Sequence, residues 1–324
     1  MTSHSPVVIS MGEPSGIGPE VIVKAWAALS GQIGGRPLRL VGCRSVFQAA
    51  AVQCHFEVGK LDAAIIDVGG DISAIPGKPS QDNASRVVSA ISECVRLVKA
   101  GEAAAIVTAP IQKAVLTTAG FEYPGHTEYL AALTGAQRAV MMLSADGLSP
   151  QLRVVPLTVH APLKTALLAL TSDEISASAE IVLEALKRDF GITEPRLAVA
   201  GLNPHAGEDG TLGREDHEII APAIAALRAR GHAVRGPFPA DTLFHDEARR
   251  EYDAVLCMYH DQALIPIKTL AFWTSVNVTL GLPIVRTAPD HGTALDIAGR
   301  GIANEKSMVA AIHSAAEIAD RRGL

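Results

Sequence analysis

Short runs rich in Val, Ile and Leu alternate with longer amphipathic stretches, and this alternation restricts the fold more than any other feature of the sequence. Strand-like runs occupy 7–11, 38–41, 104–108, 139–143, 152–159, 197–200 and 254–258. Helix-like stretches occupy 83–99, 172–188, 214–230 and 304–321, and Gly18, Pro19 and Glu20 are typical of a helix start. The alternation predicts an α/β fold, with a mostly parallel sheet covered by helices on both faces.

The composition excludes several classes of protein. Of the 324 residues, 48% are hydrophobic and 19% are charged, an ordinary balance for a globular chain. The net charge of −6 gives nucleic acid binding no electrostatic basis, so a small-molecule substrate is expected. The 4 cysteines form no CxxC pair. There is no apolar run of about 18 residues and no secretory signal pattern, so we expect a cytoplasmic protein without a membrane span.

Three histidines directly follow strand-like runs. His160 ends the run 152–159, His205 follows 197–200 in a glycine-containing loop, and His260 follows 254–258. Ligands of parallel sheets bind beyond the carboxyl ends of the strands, so these loops are expected to meet at one edge. Three neutral imidazoles with an open fourth position suit zinc or a similar divalent ion, whereas magnesium prefers oxygen ligands. Each histidine could instead satisfy only a local hydrogen bond.

Polar and cationic residues in apolar surroundings indicate an anionic ligand. The stretch 125–128 (GHTE) precedes a helix, so its hydroxyl and backbone N–H groups could cap that helix or receive an anion. Lys268, Asn277 and Arg286 lie on the segment after the third histidine, and the last two are inside strand-like runs. A buried cation is costly unless it is paired, either with a ligand carboxylate or phosphate or in an internal salt bridge.

The segment 290–304 is a glycine-punctuated loop that leads into a helix. Asp296 in this loop could accept a hydrogen bond from a ribose hydroxyl. Neither GxGxxG nor GxxxxGK[ST] occurs in the chain, which argues against an ordinary Rossmann motif and a P-loop. Gly16 and Gly18 are assigned only to a tight strand-to-helix turn.

Taken in order, several stretches resemble the 4-hydroxythreonine-4-phosphate dehydrogenase family of pyridoxal phosphate biosynthesis. They are 12–20 (GEPSGIGPE), 125–128 (GHTE), 202–208 (LNPHAGE), 239–244 (PADTLF), 258–262 (MYHDQ) and 277–283 (NVTLGLP). The segment 290–304 also resembles the adenosine-binding loop of isopropylmalate and isocitrate dehydrogenases, which share that family's fold. The resemblance runs nearly end to end.

The resemblance implies a two-lobed isocitrate-dehydrogenase-like fold with an active-site cleft between the lobes, and a homodimer with its active site at the subunit interface. We expect a nucleotide-binding lobe at 1–124 and 237–324, and a metal, substrate and dimerisation lobe at 125–236. The implied metal ligands, shared across the dimer, are His160, His205 and His260, with zinc favoured over cobalt, magnesium or manganese. The implied substrate-binding residues are His126, Thr127, Lys268, Asn277 and Arg286. The implied cofactor-binding residues are His291, Gly292, Thr293, Asp296 and Asn304.

The implied reaction is an NAD-dependent oxidative decarboxylation. The family oxidises the secondary alcohol of 4-phosphooxy-L-threonine with NAD(P)+, and the β-keto acid then loses carbon dioxide to give 3-amino-2-oxopropyl phosphate. The catalytic candidates are Asp241, Asp261 and Lys268. Asp241 and Asp261 could also support the histidines. Lys268 can accept a proton only if burial or nearby cations make it neutral. An acid at Asp296 repels a 2′-phosphate, which favours NAD over NADP.

One stretch departs from the pattern expected of this family. Between Lys268 and Asn277 the chain reads TLAFWTSV, where glycines are expected in members that make pyridoxal phosphate. Phe272 and Trp273 could be core or dimer contacts, or they could reshape the substrate pocket. The alternatives are a relative acting on D-threonate or D-erythronate 4-phosphate or on a terephthalate dihydrodiol, and a non-redox protein that handles acyl phosphates or binds metal on the same scaffold.

Overall fold

The computed structural model describes residues 4–70 and 72–324. The strands are β1 (Val7–Ser10), β2 (Gln32–Ile33), β3 (Arg36–Gly42), β4 (Ile65–Asp67), β5 (Ala105–Thr108), β6 (Val140–Ala145), β7 (Leu152–Pro156), β8 (Arg196–Ala200), β9 (Ala233–Phe238), β10 (Ala254–Cys257), β11 (Val276–Leu280) and β12 (Val285–Pro289). The helices are α1 (Gly18–Ala28), α2 (Arg44–Gln53), α3 (Val58–Asp62), α4 (Ala84–Lys99), α5 (Lys113–Thr118), α6 (His126–Thr134), α7 (Leu163–Leu168), α8 (Ser172–Arg188), α9 (Ala221–Ala229), α10 (Asp246–Arg249), α11 (His260–Ala271) and α12 (Lys306–Arg321).

The chain forms two compact units. The first comprises Met1–Ala139 and Leu282–Leu324, and the second comprises Val140–Gly281. These boundaries differ from the lobes drawn from the sequence, because 125–139 belongs to the first unit and 237–281 to the second. The assignment of a nucleotide-binding lobe and a metal-binding lobe stays a prediction.

Parallel pairing dominates the first unit. Its strands lie in the order β2-β3-β1-β5-β12, with β4 beside β3. β1 pairs in parallel with β3 and β5, and β12 pairs in parallel with β5, while β2 is a short antiparallel addition. Every residue of β1 and β5 is buried, which is typical of strands covered on both faces. Helices α4 and α12 pack against these strands.

The second unit contains a run of parallel strands beside an antiparallel part. Its strands lie in the order β11-β6-β7-β10-β8-β9. β7, β10, β8 and β9 are parallel to one another, so the chain leaves them at the same edge. β6 pairs antiparallel with both β11 and β7. The buried core of this unit includes residues from β7, β8, β10 and α11, so that α11 is held firmly against the sheet.

The predicted α/β fold with a mostly parallel sheet is confirmed, and β6 is the main departure from parallel pairing. The run expected to continue to 159 ends as β7 at Pro156, and the chain then turns at His160, which has a φ of 52°. The helix expected at 214–230 begins as a π-helical turn at Asp216–Ile220 and continues as α9. In the part of the chain that the structure describes, no helix has the length and apolar character needed to cross a bilayer.

Local signals account for the helix ends that the sequence predicts. Thr171 precedes α8, and its side chain accepts a hydrogen bond from the Glu174 backbone N–H at 3.2 Å. Acidic residues lie in the first turn of α8 and basic residues in its last turn, which complements the helix dipole. α1 begins at Gly18 with a proline in its first turn, as expected.

Candidate functional site

The three candidate metal-binding histidines lie beyond the carboxyl ends of three adjacent strands in the second unit. His160 follows β7, His260 opens α11 after β10, and His205 follows β8. Because β10 pairs in parallel with both β7 and β8, all three loops leave the same edge of the sheet. The sequence prediction that these strands share one edge is confirmed. We call this region the histidine edge.

Hydrogen bonds tie the three loops of the histidine edge together. The Leu157 backbone N–H donates to the Cys257 carbonyl at 2.8 Å, which links the loop of His160 to the end of β10. The Gln262 side chain accepts from the Met258 N–H and donates to the Gly201 carbonyl, both at 2.7 Å. Gln262 is buried and therefore joins the loop of His260 to that of His205. This role was not predicted from the sequence, since glutamine is an ordinary residue in the first turn of a helix.

Two of the three histidine side chains lie side by side. The ring centroids of His160 and His260 are 5.5 Å apart. Two imidazoles on one tetrahedral ion place their centroids roughly 5 Å apart, so this pair fits a shared ion. Asp261 Oδ1 lies 2.7 Å from His260 Nδ1, an arrangement that leaves Nε2 for a metal. Within residues 4–70 and 72–324, no group of three His, Cys, Asp or Glu side chains is arranged to hold an ion, so His205 does not complete a set within one chain.

The loop that carries His205 has an unusual backbone. His205, Ala206, Gly207, Glu208 and Asp209 all have positive φ, between 41° and 82°, so the segment Pro204–Gly210 winds as a left-handed turn. Non-glycine residues pay a steric cost in this region. Such strain persists only where the surrounding structure holds it, and it is concentrated at functional sites.

Asp216 holds this left-handed turn in place. Its buried carboxylate accepts hydrogen bonds from the backbone N–H groups of Leu202 at 2.8 Å and Asn203 at 3.1 Å. It also accepts from the Asn203 side-chain amide at 2.9 Å. A Cβ on Gly201 would lie 2.8 Å from Asp216 Oδ1, so only glycine fits beside it. The sequence analysis missed Asp216, because an acid near a helix start is typical of a solvated surface position.

The catalytic candidate Asp241 lies near the same turn. It is exposed in the 3-10 helix Ala240–Thr242, which packs against the segment Pro204–Gly210. The other acid, Asp261, is exposed and engaged by His260. Asp241 therefore lies on an element beside the turn that carries His205, and Asp261 contacts the His260 imidazole. The catalytic roles of both acids stay predictions.

Two candidate substrate-binding residues lie further along the second unit. Lys268 is in the last turn of α11, and Asn277 is the second residue of β11. Between them, Phe272 and Trp273 are 58% and 53% exposed. The interpretation of this aromatic pair as core residues is wrong, because the chain turns them outward from a helix whose buried face is occupied by Ala263, Ile267 and Ala271.

The first unit contains a buried cation on β12. Arg286 is 4% exposed, and its Nε and Nη2 donate to the Thr108 hydroxyl, at the end of β5, at 3.1 Å and 2.6 Å. Burial lowers the pKa of the Arg286 guanidinium to about 10, and the nearby Glu128 acts in the opposite direction. The guanidinium is therefore still charged at neutral pH, in a place where water solvates it poorly.

His126 and Lys113 join this cation to form what we call the basic cluster, Lys113, His126 and Arg286. Burial lowers the pKa of the His126 imidazole well below its ordinary value, and the charges of Arg286 and Lys113 act in the same direction. His126 Nε2 is buried, and no described residue offers it a hydrogen bond. A Cβ built on Gly125 would lie 3.3 Å from Lys113 Nζ, so the lysine passes close to the start of α6.

The start of α6 presents backbone N–H groups. The helix begins at His126, and Gly125 before it makes no side-chain capping bond. Glycine has no side chain with which to cap the helix. The two alternatives for this stretch, a cap by its hydroxyl or an anion-receiving helix start, stay predictions. Thr127 is half-buried in the first turn. The sequence analysis missed Lys113, which lies thirteen positions before His126 in the chain and comes near it only through the fold.

The predicted nucleotide loop is held against the first turns of α1. The Thr293 carbonyl accepts from the Ile17 N–H at 3.0 Å, and the Thr293 hydroxyl donates to Gln112 at 3.0 Å. Buried Glu20 accepts from the Ala303 N–H at 2.7 Å at the other end of the loop. Asp296, between these anchors, is exposed.

Two expectations about this loop are refined by the contacts. Gly16 does more than allow a tight turn, because a Cβ there would lie 2.9 Å from the Thr293 carbonyl oxygen. Of the other cofactor candidates, His291 Nδ1 lies 3.0 Å from the Gly292 carbonyl oxygen, and the Asn304 side chain accepts from the Lys306 N–H at 2.9 Å. Asn304 therefore helps to begin α12, and its contact with a nucleotide stays a prediction.

An α/β chain with a histidine-bearing strand edge and a basic cluster around a buried arginine has the architecture of an enzyme for a small anionic substrate. The family model for the pyridoxal phosphate biosynthetic protein PdxA matches residues 27–315. The chain belongs to this family, as the resemblance in the sequence implied.

Known relatives cover the whole chain. The 4-hydroxythreonine-4-phosphate dehydrogenase of Caulobacter vibrioides is 50% identical, with 100% of both chains covered. Among solved structures, the 4-hydroxythreonine-4-phosphate dehydrogenase of Klebsiella pneumoniae superposes with a TM-score of 0.84 at 38% identity, covering 98% of this chain and 100% of that one. A terephthalate 1,2-cis-dihydrodiol dehydrogenase from Burkholderia xenovorans LB400 superposes with a TM-score of 0.64 at 28% identity, covering 96% and 98%.

More distant structures show the fold alone. A β-decarboxylating dehydrogenase from Thermococcus kodakarensis superposes with a TM-score of 0.54 at 18% identity. This likeness confirms the expectation of an isocitrate-dehydrogenase-like fold. A branched-chain phosphotransacylase from Enterococcus faecalis V583 has a TM-score of 0.56 at 13% identity, so the scaffold itself does not decide between redox and acyl-phosphate chemistry.

Proposed function

We propose that this protein oxidises 4-phosphooxy-L-threonine with NAD(P)+ and releases carbon dioxide to give 3-amino-2-oxopropyl phosphate, a step of pyridoxal phosphate biosynthesis. The relatives of highest identity reported above carry this enzyme's name over their full length. The observation that carries the proposal is the basic cluster, where the buried His126 Nε2 lies beside two cations. A phosphorylated substrate supplies the negative charge and the hydrogen-bond partner that this cluster needs.

The residues of the basic cluster would act together on the phosphate. Arg286 offers a planar fork of N–H donors, and Thr108 fixes one side of it. Lys113 adds a point charge, and neutral His126 can donate one hydrogen bond from its ring. Thr127 and the first N–H groups of α6 complete a set of donors for phosphate oxygens.

The histidine edge would hold a divalent ion. His160 and His260 have the spacing of two ligands on one ion, and we propose that the set of three with His205 is completed across a homodimer. Exposed leucines on α7, just after His160, support a contact with a second copy; they are Leu163, Leu167 and Leu168. Three imidazoles favour zinc or cobalt over magnesium or manganese. When bound, the ion supplies Lewis-acid polarisation of the substrate's hydroxyl and carboxylate.

The electrons and the protons of the reaction then have defined destinations. The proton of the substrate's hydroxyl group goes to a base, for which Asp241 is a candidate. Hydride leaves the carbon that carries this hydroxyl group and is transferred to nicotinamide. The ketone accepts the electron pair of the C–C bond to the carboxylate, so carbon dioxide leaves and an enolate forms. A proton then adds to the carbon that carried the carboxylate and gives the amino ketone product. Lys268 and Asn277 are proposed to bind anionic and carbonyl groups of the substrate. The exposed acid Asp296 would accept from the ribose of NAD and repel the 2′-phosphate of NADP.

The test is a substrate panel with purified protein, zinc or cobalt, and either NAD+ or NADP+. We expect reduced nicotinamide with 4-phosphooxy-L-threonine, and faster formation from NAD+ than from NADP+. If the protein turns over only D-threonate or D-erythronate 4-phosphate, or only the terephthalate dihydrodiol, the proposed substrate is wrong but the protein is still a dehydrogenase. No reduction with any substrate would favour the non-redox alternative.

A further inference from the structure

An aromatic pair after α11 contacts the lysine that this helix carries. Lys268 Nζ lies 5.3 Å from the centroid of the Phe272 ring. The ring centroids of Phe272 and Trp273 are 5.1 Å apart with an interplanar angle of 80°, an edge-to-face contact. Lys268 therefore contacts the ring of Phe272, and that ring in turn contacts Trp273.

The backbone fixes the position of both rings. Lys268 and Phe272 are four residues apart on a helical backbone, so they lie on one face. The N–H groups of Thr274 and Ser275 donate to the Ala271 carbonyl at 3.2 Å and 2.9 Å, which closes the turn that contains the pair. Ala271 itself is part of the buried core of this unit. The rings are thus presented by a turn anchored in the core, although more than half of each side chain is exposed.

The contact bears on the two roles left open for Lys268. The face of an aromatic ring attracts a cation within about 6 Å, and it stabilises the charged ammonium relative to the neutral amine. A lysine must be neutral to accept a proton, but it must be charged to bind an anion. The neighbouring ring orients the ammonium of Lys268, which suits the anion-binding role.

We propose that Phe272, supported by Trp273, is a positioning residue that directs the Lys268 ammonium for binding the anionic substrate. This inference rests on the proposed function, because it concerns that substrate.

Kinetics of ring variants test the proposal. Phe272→Leu removes the ring but keeps an apolar side chain, and KM for 4-phosphooxy-L-threonine should rise about three- to tenfold. The value of kcat and its pH profile should stay unchanged. Phe272→Tyr keeps the ring face and should restore the wild-type KM. Leu270→Ala is the matched control, because it removes an exposed apolar side chain from the same helix, two positions from Lys268 and on another face.

Three results would overturn the proposal. An unchanged KM in Phe272→Leu would show that the ring does nothing for the substrate. A fall in kcat with a displaced pH profile would make Lys268 the base. If KM rises in Phe272→Leu and sedimentation shows that the assembly has a lower mass than the wild type, the aromatic pair is a contact between two copies of the chain instead. If the wild-type protein turns over none of the substrates, the proposed function fails instead.

The contact can also be measured without turnover. Reductive ¹³C-methylation of the lysines keeps their charge, and the signal missing from Lys268→Arg assigns the methyl groups of Lys268. Ring currents should displace this proton signal upfield in the wild-type protein and in Phe272→Tyr, but not in Phe272→Leu. A signal without displacement in the wild-type protein would contradict the contact itself.

Discussion

The basic cluster of the first unit is built around a buried arginine, whereas the histidine edge of the second unit ends in exposed loops. Arg286 is buried against Thr108, and the pKa values of both Arg286 and His126 are displaced by that burial. His160 and His205 are exposed. The loop of His160 is tied to the end of β10 by Leu157, and the loop of His205 is held by Gln262 and Asp216. In the first region the protein has already desolvated the charge of Arg286, so a ligand anion would restore the interactions that burial removed. In the second region the chain positions histidine side chains for the proposed divalent ion, which comes from solvent.

The comparison predicts that a change at the histidine edge abolishes the reaction. His205→Ala should lose both bound zinc and turnover, because one of three imidazoles is removed. His205→Asn provides a second variant, since asparagine tolerates the positive φ of this position. The measurements are metal content by mass spectrometry and formation of reduced nicotinamide. His217→Ala is the control, an exposed histidine outside the site. Full activity in both His205 variants would remove the metal site.

A change in the basic cluster should weaken anion binding while metal content stays constant. Arg286→Lys keeps the charge but loses the planar fork, so the affinity for inorganic phosphate should fall about 10- to 100-fold. Calorimetric titration with phosphate measures the effect, and KM for the substrate should rise in parallel. Arg300→Lys is the matched control on an exposed arginine of the same unit. Equal phosphate affinity in the two variants would place the anion elsewhere.

A change in Asp216, which supports the loop of His205, should have a smaller effect than the loss of a histidine ligand. In Asp216→Asn one carboxylate oxygen becomes an NH₂ group, which cannot accept the hydrogen bond of Leu202 or Asn203. The free energy of unfolding should fall by about 1–3 kcal/mol, and zinc affinity by about tenfold or more. Urea unfolding and metal competition provide the readouts. Glu218→Gln breaks only an exposed ion pair with Arg214, so it should change little.

The smallest predicted effect concerns His126 of the basic cluster and the way in which the stability of the protein depends on pH. His126 resists protonation in the folded protein, so only the unfolded chain gains its proton as the pH falls below the ordinary histidine pKa. Between about pH 7.5 and about pH 5.5, the wild-type protein should lose stability relative to His126→Asn, by at most about 1.4 kcal/mol for an unfolded histidine of ordinary pKa. Saturating phosphate should reduce this loss, because an anion stabilises the imidazolium. An identical pH dependence in both proteins would contradict a neutral, buried His126.

The parts of the molecule that the sequence predicted are those with a local pattern. The strand-like runs located β7, β8 and β10, and so placed His160, His205 and His260 at one edge. The contacts that shape the site come from tertiary proximity instead. Asp216 looks like a surface acid until the fold buries it, and Lys113 acquires its role only because α5 begins near α6. The pairing of β6 was also hidden, since the same apolar run suits parallel and antiparallel neighbours.

The left-handed turn at Pro204–Gly210 reverses the usual rule for substitution. In most ordered segments a glycine loosens the chain, but at Ala206, Glu208 and Asp209 a glycine would adopt the observed φ without a steric cost. Substitution of one of these residues by glycine should therefore increase the thermal stability of the protein. His205 is the exception, because its imidazole is required. A designer who wished to strengthen this loop would begin by removing side chains, and would leave that histidine alone.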